Sequence, residues 1–158
     1  MTNLFNPTSS GVVLGVVSAT TATQTTTNST SDVDTTLAVT AVNGTTDRVR
    51  VRCSSSCQTK QSGGSPSDRQ ATMSIYRGNA ATGTLIKKAS YGRTLITGNS
   101  SGAQQNFSCD FEVIDTPSAA NQLYTMACNV YDGNVELITN KDMNGAQTGE
   151  MSATTLSA

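Results

Sequence analysis

Apolar and polar positions alternate with a period of two along most of this 158-residue chain, and Gly, Asn and Ser clusters interrupt each run before a helical period can develop. The pattern predicts strands near 11–18, 35–42, 49–53, 71–77, 84–91, 107–113, 124–130, 135–139 and 150–156, and no helix of ordinary length. Such a chain is all-β. About eight to ten strands suffice for a single antiparallel β-sandwich of two packed sheets with jelly-roll-like connections.

The same alternation predicts which strands pair. Leu37, Val39 and Ala41 share one face, as do Val49, Val51 and Cys53, and a three-residue turn at Asn43-Gly44-Thr45 would set Val39 opposite Val49. The Ser- and Gly-rich stretch 54–70 reads as a polar loop. Strands 71–77 and 84–91, with Met73 and Ile75 facing inward, are joined across Gly78-Asn79 to Gly83. A further hairpin pairs Val113 with Tyr124, Phe111 with Met126, Cys109 with Cys128 and Phe107 with Val130, around turn residues that include Asp115 and Pro117. Residues 1–10 contain Pro7, two serines and no periodicity, so they read as an N-terminal arm ahead of a sandwich domain at 11–158.

Composition thins the expected core. The hydrophobic share is 35% with no Trp, below what is usual for globular domains, so neighbouring copies are expected to supply part of the stability. Charged residues make up only 13%, which is not the signature of a disordered tail. The net charge of −1 provides no positive field for a phosphate backbone, and no nucleic-acid partner is expected. Arg48, Arg50 and Arg52 alternate with Val49 and Val51, which puts three cations on one strand face and reads as a solvated surface. The opening residues lack a basic and apolar leader, and no segment approaches the ~20 apolar residues of a membrane span, so a soluble chain made in the cytoplasm is expected.

Candidate chemistry is sparse. The chain has no histidine, which removes Ser–His and Cys–His pairs and His-based zinc sites. Asp32 with Asp34, and Asp110 with Glu112, lie two apart and share a strand face, but same-strand carboxylates are weak evidence for a glycosidase pair and read as solvated. Cys53 and Cys57 are placed for a small disulfide ring at the start of the polar loop. Cys109 and Cys128 are predicted to oppose each other on the buried face, as a disulfide or as packed thiols. A metal site built on the Cys53–Cys57 spacing is the third alternative, and no cofactor is expected. The four Asn-x-Ser/Thr matches, at Asn28, Asn43, Asn99 and Asn106, are what a Ser/Thr-rich chain supplies by chance. Tyr76, Tyr91, Tyr124 and Tyr131 are too dispersed for a sugar-stacking platform and read as core.

Three segments together resemble a β-sandwich domain of tailed-bacteriophage surface proteins, found in tail fibres and other virion components. Gly11, Val13, Leu14 and Val16 match that family's opening strand, with Val12 where Lys is usual and Gly15 where Gln is usual. Asp34, Leu37, Val39 and Thr40 match its second strand, with Thr36 in place of Gly. Tyr76-Arg77-Gly78 resembles its Arg-Gly hairpin, and Asp115-Thr116-Pro117 through Tyr124-Thr125 resembles its Asp-x-Pro…Tyr hairpin. The resemblance spans about residues 11–156. It implies a β-sandwich that often trimerises and is displayed on a virion, partnering itself, the major capsid protein or other virion proteins. The lack of histidine and of a nucleophile or metal constellation makes a non-enzymatic protein the expectation. A capsid decoration or cement protein on the head surface is the expected role. A tail-fibre or spike protein that contacts a host receptor or surface glycan is the alternative, and a carbohydrate-binding module the more distant one.

Overall fold

A computed structural model describes residues 12–61, 70–91 and 104–158 of the chain. Twelve strands lie among them: β1 Val13–Thr21, β2 Thr26–Thr27, β3 Val33–Thr40, β4 Arg48–Gln61, β5 Ala71–Arg77, β6 Thr84–Tyr91, β7 Gln104–Asp115, β8 Leu123–Val130, β9 Val135–Thr139, β10 Lys141–Asp142, β11 Gly145–Ala146 and β12 Gly149–Leu156. The predicted arm at 1–10 and most of the polar connection near 98–105 lie outside the described residues.

The longer strands form two antiparallel sheets. The first runs β1-β12-β4-β7, and the second β3-β8-β5-β6. Taken in chain order, the eight long strands pair first with eighth, second with seventh, third with sixth and fourth with fifth. One long antiparallel hairpin wrapped around itself produces that order, which is the jelly roll. The all-β sandwich expected from periodicity is the architecture observed. β4 is long because two strands share one of its edges: β12 pairs Arg48 through Ser54, and β9 pairs Cys57 through Gln61. Its other edge is paired with β7 from Val49 to Lys60. β2 adds to β9, while β10 and β11 form a small separate hairpin.

Alternation decides which side chains enter the core. On β4, Val49, Val51, Cys53 and Cys57 are fully buried while Arg50, Arg52 and Ser54 face solvent. Leu37 and Val39 of β3, Met73 and Ile75 of β5, and Tyr124 and Met126 of β8 face them from the other sheet. Each fully buried aliphatic side chain contributes about 1.5–3 kcal/mol relative to exposure.

Two predicted hairpins are corrected. Strand 107–113 pairs with β4, setting Phe111 opposite Cys53 and Cys109 opposite Ser55. Strand 124–130 pairs with β3 and β5, setting Tyr124 opposite Val39 and Cys128 opposite Val33 and Met73. Likewise Val39 does not pair with Val49, because β3 and β4 belong to different sheets. The inward faces were assigned correctly, but two apolar faces can meet across the ~10 Å between sheets as well as side by side, and period-two alternation does not distinguish these. Asn43 ties the two crossover loops together. Its Nδ2 donates to the carbonyls of Gly44 (2.7 Å) and Ala119 (3.0 Å), and its Oδ1 accepts from the Gln122 amide (3.0 Å). The predicted hairpin of β5 with β6 is present, with Arg77 opposite Thr84. The predicted loop at 54–70 is also corrected, since β4 continues to Gln61 and residues 62–69 lie outside the described residues.

Two carboxylates tie strands together, Asp115 between the sheets and Asp32 within the second sheet. Asp115 of β7 is 7% exposed and accepts hydrogen bonds from Arg77 of β5 through both guanidinium arms and from the Tyr124 hydroxyl of β8 (2.8 Å), so it joins the two sheets. Asp32, just before β3, accepts from the Tyr76 hydroxyl and from Asn129 Nδ2 (2.6 Å), with Lys88 Nζ 3.8 Å away. Burial and the bond to Asp32 push the Tyr76 hydroxyl up to about 12.

Candidate interaction surface

The outward side chains of β7, β4, β12 and β1 form rows across the first sheet. One row is Ile114, Arg50, Thr154 and Val16; the next is Glu112, Arg52, Ser152 and Ser18; the third is Asp110, Ser54, Glu150 and Thr20. Shallow depressions between the rows are lined by Arg50, Arg52, Glu112, Ser152 and Thr154, and by Arg52, Ser54, Glu150 and Ser152. Of the three arginines read from the sequence as one solvent face, Arg50 and Arg52 are exposed on this surface, as are Asp110 and Glu112, whereas Arg48, opposite Leu156, is half-buried with its Nε enclosed.

Charge is distributed unevenly along the strands. Asp110, Glu112 and Glu150 occupy one end, where Arg52 reaches diagonally to Asp110 with Nε at 2.9 Å and Nη2 at 2.6 Å. The hydrogen bond to Arg52 holds the Asp110 carboxyl below its ordinary value, against the opposing effect of desolvation. Because these side chains are 58% and 49% exposed, the pair adds little to stability and acts as a surface feature.

The opposite end carries most of the exposed apolar side chains, with Arg50 and Thr154 between Ile114 and Val16. Val12 (69% exposed), Val13, Leu14 and Val16 (63%) at the start of β1, Ile114 at the end of β7, and Val42 beside β12 all face solvent there. The Val42 carbonyl accepts from the Thr155 hydroxyl at 2.8 Å, which places it against this end of the sheet. A register shift between Val13 and Gly15 leaves Leu14 without a partner on β12, and both Val13 and Leu14 are exposed beside it. The sequence reading assigned these residues to a strand but not to a surface. The available signal was the nearly unbroken run from Val12 to Val17, which is more apolar than the single buried face of an antiparallel strand requires.

The cysteines are rearranged relative to expectation. All four are free and fully buried. Cys53 and Cys57 are on β4, not in a loop. Four residues of strand separate their Cα atoms by about 13 Å, well beyond disulfide reach. Cys109 and Cys128 both face the core, as expected, but from different sheets rather than across a hairpin. The close contact is instead Cys57 with Cys109, whose sulfurs are 4.0 Å apart, and the Ser55 hydroxyl lies 3.6 Å from the Cys57 sulfur. The hydrogen bond with Cys109 and burial push the Cys57 thiol up, and burial pushes Cys128 up to about 12, so these behave as packed neutral thiols.

Among the described residues, no group of three or more His, Cys, Asp or Glu side chains is placed to hold a metal, and no helix is long and apolar enough to cross a membrane. Asp34 accepts from the Thr36 amide at 2.8 Å, and Asp32 is engaged by Tyr76 and Asn129, so the carboxylates near 32–34 serve local structure. Tyr76 and Tyr124 are buried, Tyr91 stacks on Phe107 with ring centroids 6.2 Å apart, and Tyr131 is exposed. Of the Asn-x-Ser/Thr positions, Asn43 is the buried loop tie described above, Asn106 accepts from Gln58 (3.0 Å), and Asn99 lies outside the described residues.

No family model and no curated protein matches the chain. Among solved structures, the dimeric latent PorU of Porphyromonas gingivalis is similar at 15% identity and a TM-score of 0.32, covering 95% of this chain and 14% of that one. The structure of the infectious bursal disease virus Gx strain is similar at 16% identity and a TM-score of 0.28, covering 91% of this chain and 33% of that one. Overlaps this partial carry no functional argument.

Proposed function

We propose that this chain is a non-enzymatic structural protein of a tailed-bacteriophage virion, a homotrimeric decoration or cement protein that docks on the major capsid protein at the head surface after synthesis in the host cytoplasm. The observation that carries this reading is the outer face of β7-β4-β12-β1, where exposed apolar side chains gather at the start of β1, Arg50 stands between them and Ile114, and the partly paired Asp110, Glu112 and Glu150 occupy the other end. Contiguous exposed apolar surface marks interaction sites. Mixed charges set orientation and partner choice more than raw affinity. The resemblance of residues 11–156 to phage surface domains supplies the setting. The jelly roll is compatible with it, although a fold by itself does not specify a function.

Copy number in purified particles, combined with a particle reconstruction, tests the reading. Hundreds of copies on the head lattice are expected, and sedimentation of the isolated protein should show a species near three times 16.4 kDa. A few to tens of copies at the tail would make it a fibre or spike component instead. Absence from particles together with specific glycan binding would make it a carbohydrate-binding module.

A further inference from the structure

Six of the nine exposed large hydrophobic residues among those described, Val12, Val13, Leu14, Val16, Val42 and Ile114, gather at the end of the sandwich where β1 begins. β1 is also the edge of its sheet and pairs only with β12 among the described residues. Natural sheet edges are normally protected by charge, bulges or a covering segment. The other long edge strands follow this rule: β7 carries Asp110 and Glu112, β6 carries Lys87 and Lys88, and β3 carries Asp34 and a register shift at Thr36, whose φ is 63°. From Val12 to Thr21 there is no charged side chain at all. This edge and patch therefore have the character of a surface that is covered in the assembled state.

The segment that adjoins the patch has matching chemistry. Residues 1–11 carry no charged side chain and include the apolar pair Leu4-Phe5. They join the sandwich at Val12, which is held beside the patch: its amide donates to Ser157 Oγ (3.0 Å) and its carbonyl accepts from the Ser157 amide (2.9 Å). Extended, the seven steps from Phe5 to Val12 span about 23 Å, enough to reach an adjacent subunit.

We propose that the apolar end of the β1 edge is the seat for residues 1–11 of a neighbouring copy, so that exchanged N-terminal arms tie the subunits together. This rests on the homotrimer reading. The arm adds to the edge of β1 that no described strand pairs, and Leu4 and Phe5 cover the Leu14 and Val16 side chains.

The test uses the full chain with the photo-crosslinker p-benzoylphenylalanine in place of Phe5, prepared as a mixture of isotopically labelled and unlabelled copies. Irradiation should give covalent dimers and trimers, with mixed-label peptides joining position 5 to residues 12–16. Adding Val16→Asp, an exposed position, should lower the crosslinked fraction at least fivefold with an unchanged circular dichroism spectrum. Crosslinks confined to one chain, or attached away from the patch, in a protein that still sediments as a trimer would overturn the arm seat alone. A monomer in sedimentation would overturn the homotrimer reading and the arm exchange with it.

Discussion

Among the described residues two Arg–Asp pairs have the same chemistry in opposite environments, so comparing them tests the ion-pair reasoning directly. Arg77 and Asp115 join the two sheets, and Asp115 is 7% exposed with a third bond from Tyr124. Arg52 and Asp110 lie on the open face. Replacing Asp115 with Asn removes the negative charge and leaves the Arg77 guanidinium, 28% exposed, without its counterion between the sheets. Breaking a buried pair in this way costs about 3–5 kcal/mol, and the partial exposure of Arg77 lowers the expectation to about 2–4 kcal/mol. For a domain of this size that is a fall in Tm of about 6–12 °C, readable by circular dichroism at pH 7. Asp110→Asn should leave Tm within about 2 °C of the parent. The pH dependence gives a second readout. Burial pushes the Asp115 carboxyl up, but the bonds from Arg77 and Tyr124 pull it further down, so its folded value lies below the ordinary one. A depressed carboxylate contributes stability above its unfolded value near pH 4 and loses it as the pH falls through the folded value. The parent should therefore lose more stability below about pH 4 than Asp115→Asn does. Equal Tm shifts for the two variants, or a larger shift for Asp110→Asn, would refute the argument from burial.

Cys57→Ser and Cys128→Ser should each destabilise by about 1–3 kcal/mol, because both place a hydroxyl in the core, and a neutral Cys57→Ser would contradict its position on the inner face of β4. All four thiols should resist Ellman's reagent in the native protein and react after denaturation. Gly149→Ala should lower Tm measurably, since its Cβ would sit 2.2 Å from Asn140 Oδ1, an oxygen held by the Ser55 hydroxyl at 2.8 Å, whereas Gly15→Ala, with open space at Cβ, should not. A hydrolase screen on polysaccharides and peptidoglycan should show no turnover, and activity abolished by Asp110→Asn or Glu112→Gln would overturn the non-enzymatic reading.

Period-two alternation was enough to establish, from the sequence alone, that this chain is all-β, roughly where its long strands lie, and which side chains of β4, β5, β7 and β8 point to the core, although β5 and β8 are buried on both faces. Val49, Val51, Met73, Ile75, Phe111 and Tyr124 all point inward as the pattern requires, and the outward positions of Arg50 and Arg52 were equally legible. Both follow from local geometry, because successive side chains on any strand point to opposite sides. Which strand lies beside which was decided only by the tertiary structure. The apolar faces of β7 and β8 satisfy one another across the core, so the same pattern that read as a hairpin belongs to two sheets, and Cys109 meets Cys57 rather than Cys128. The polar character of 54–61 concealed the second half of β4, because strand pairing there depends on backbone hydrogen bonds to β7 and β9, which leave no hydrophobic signature. The apolar end of the outer face was hidden for a related reason. Val16 and Ile114 are about a hundred residues apart in the chain, and only the β1-β12-β4-β7 order brings them into one row.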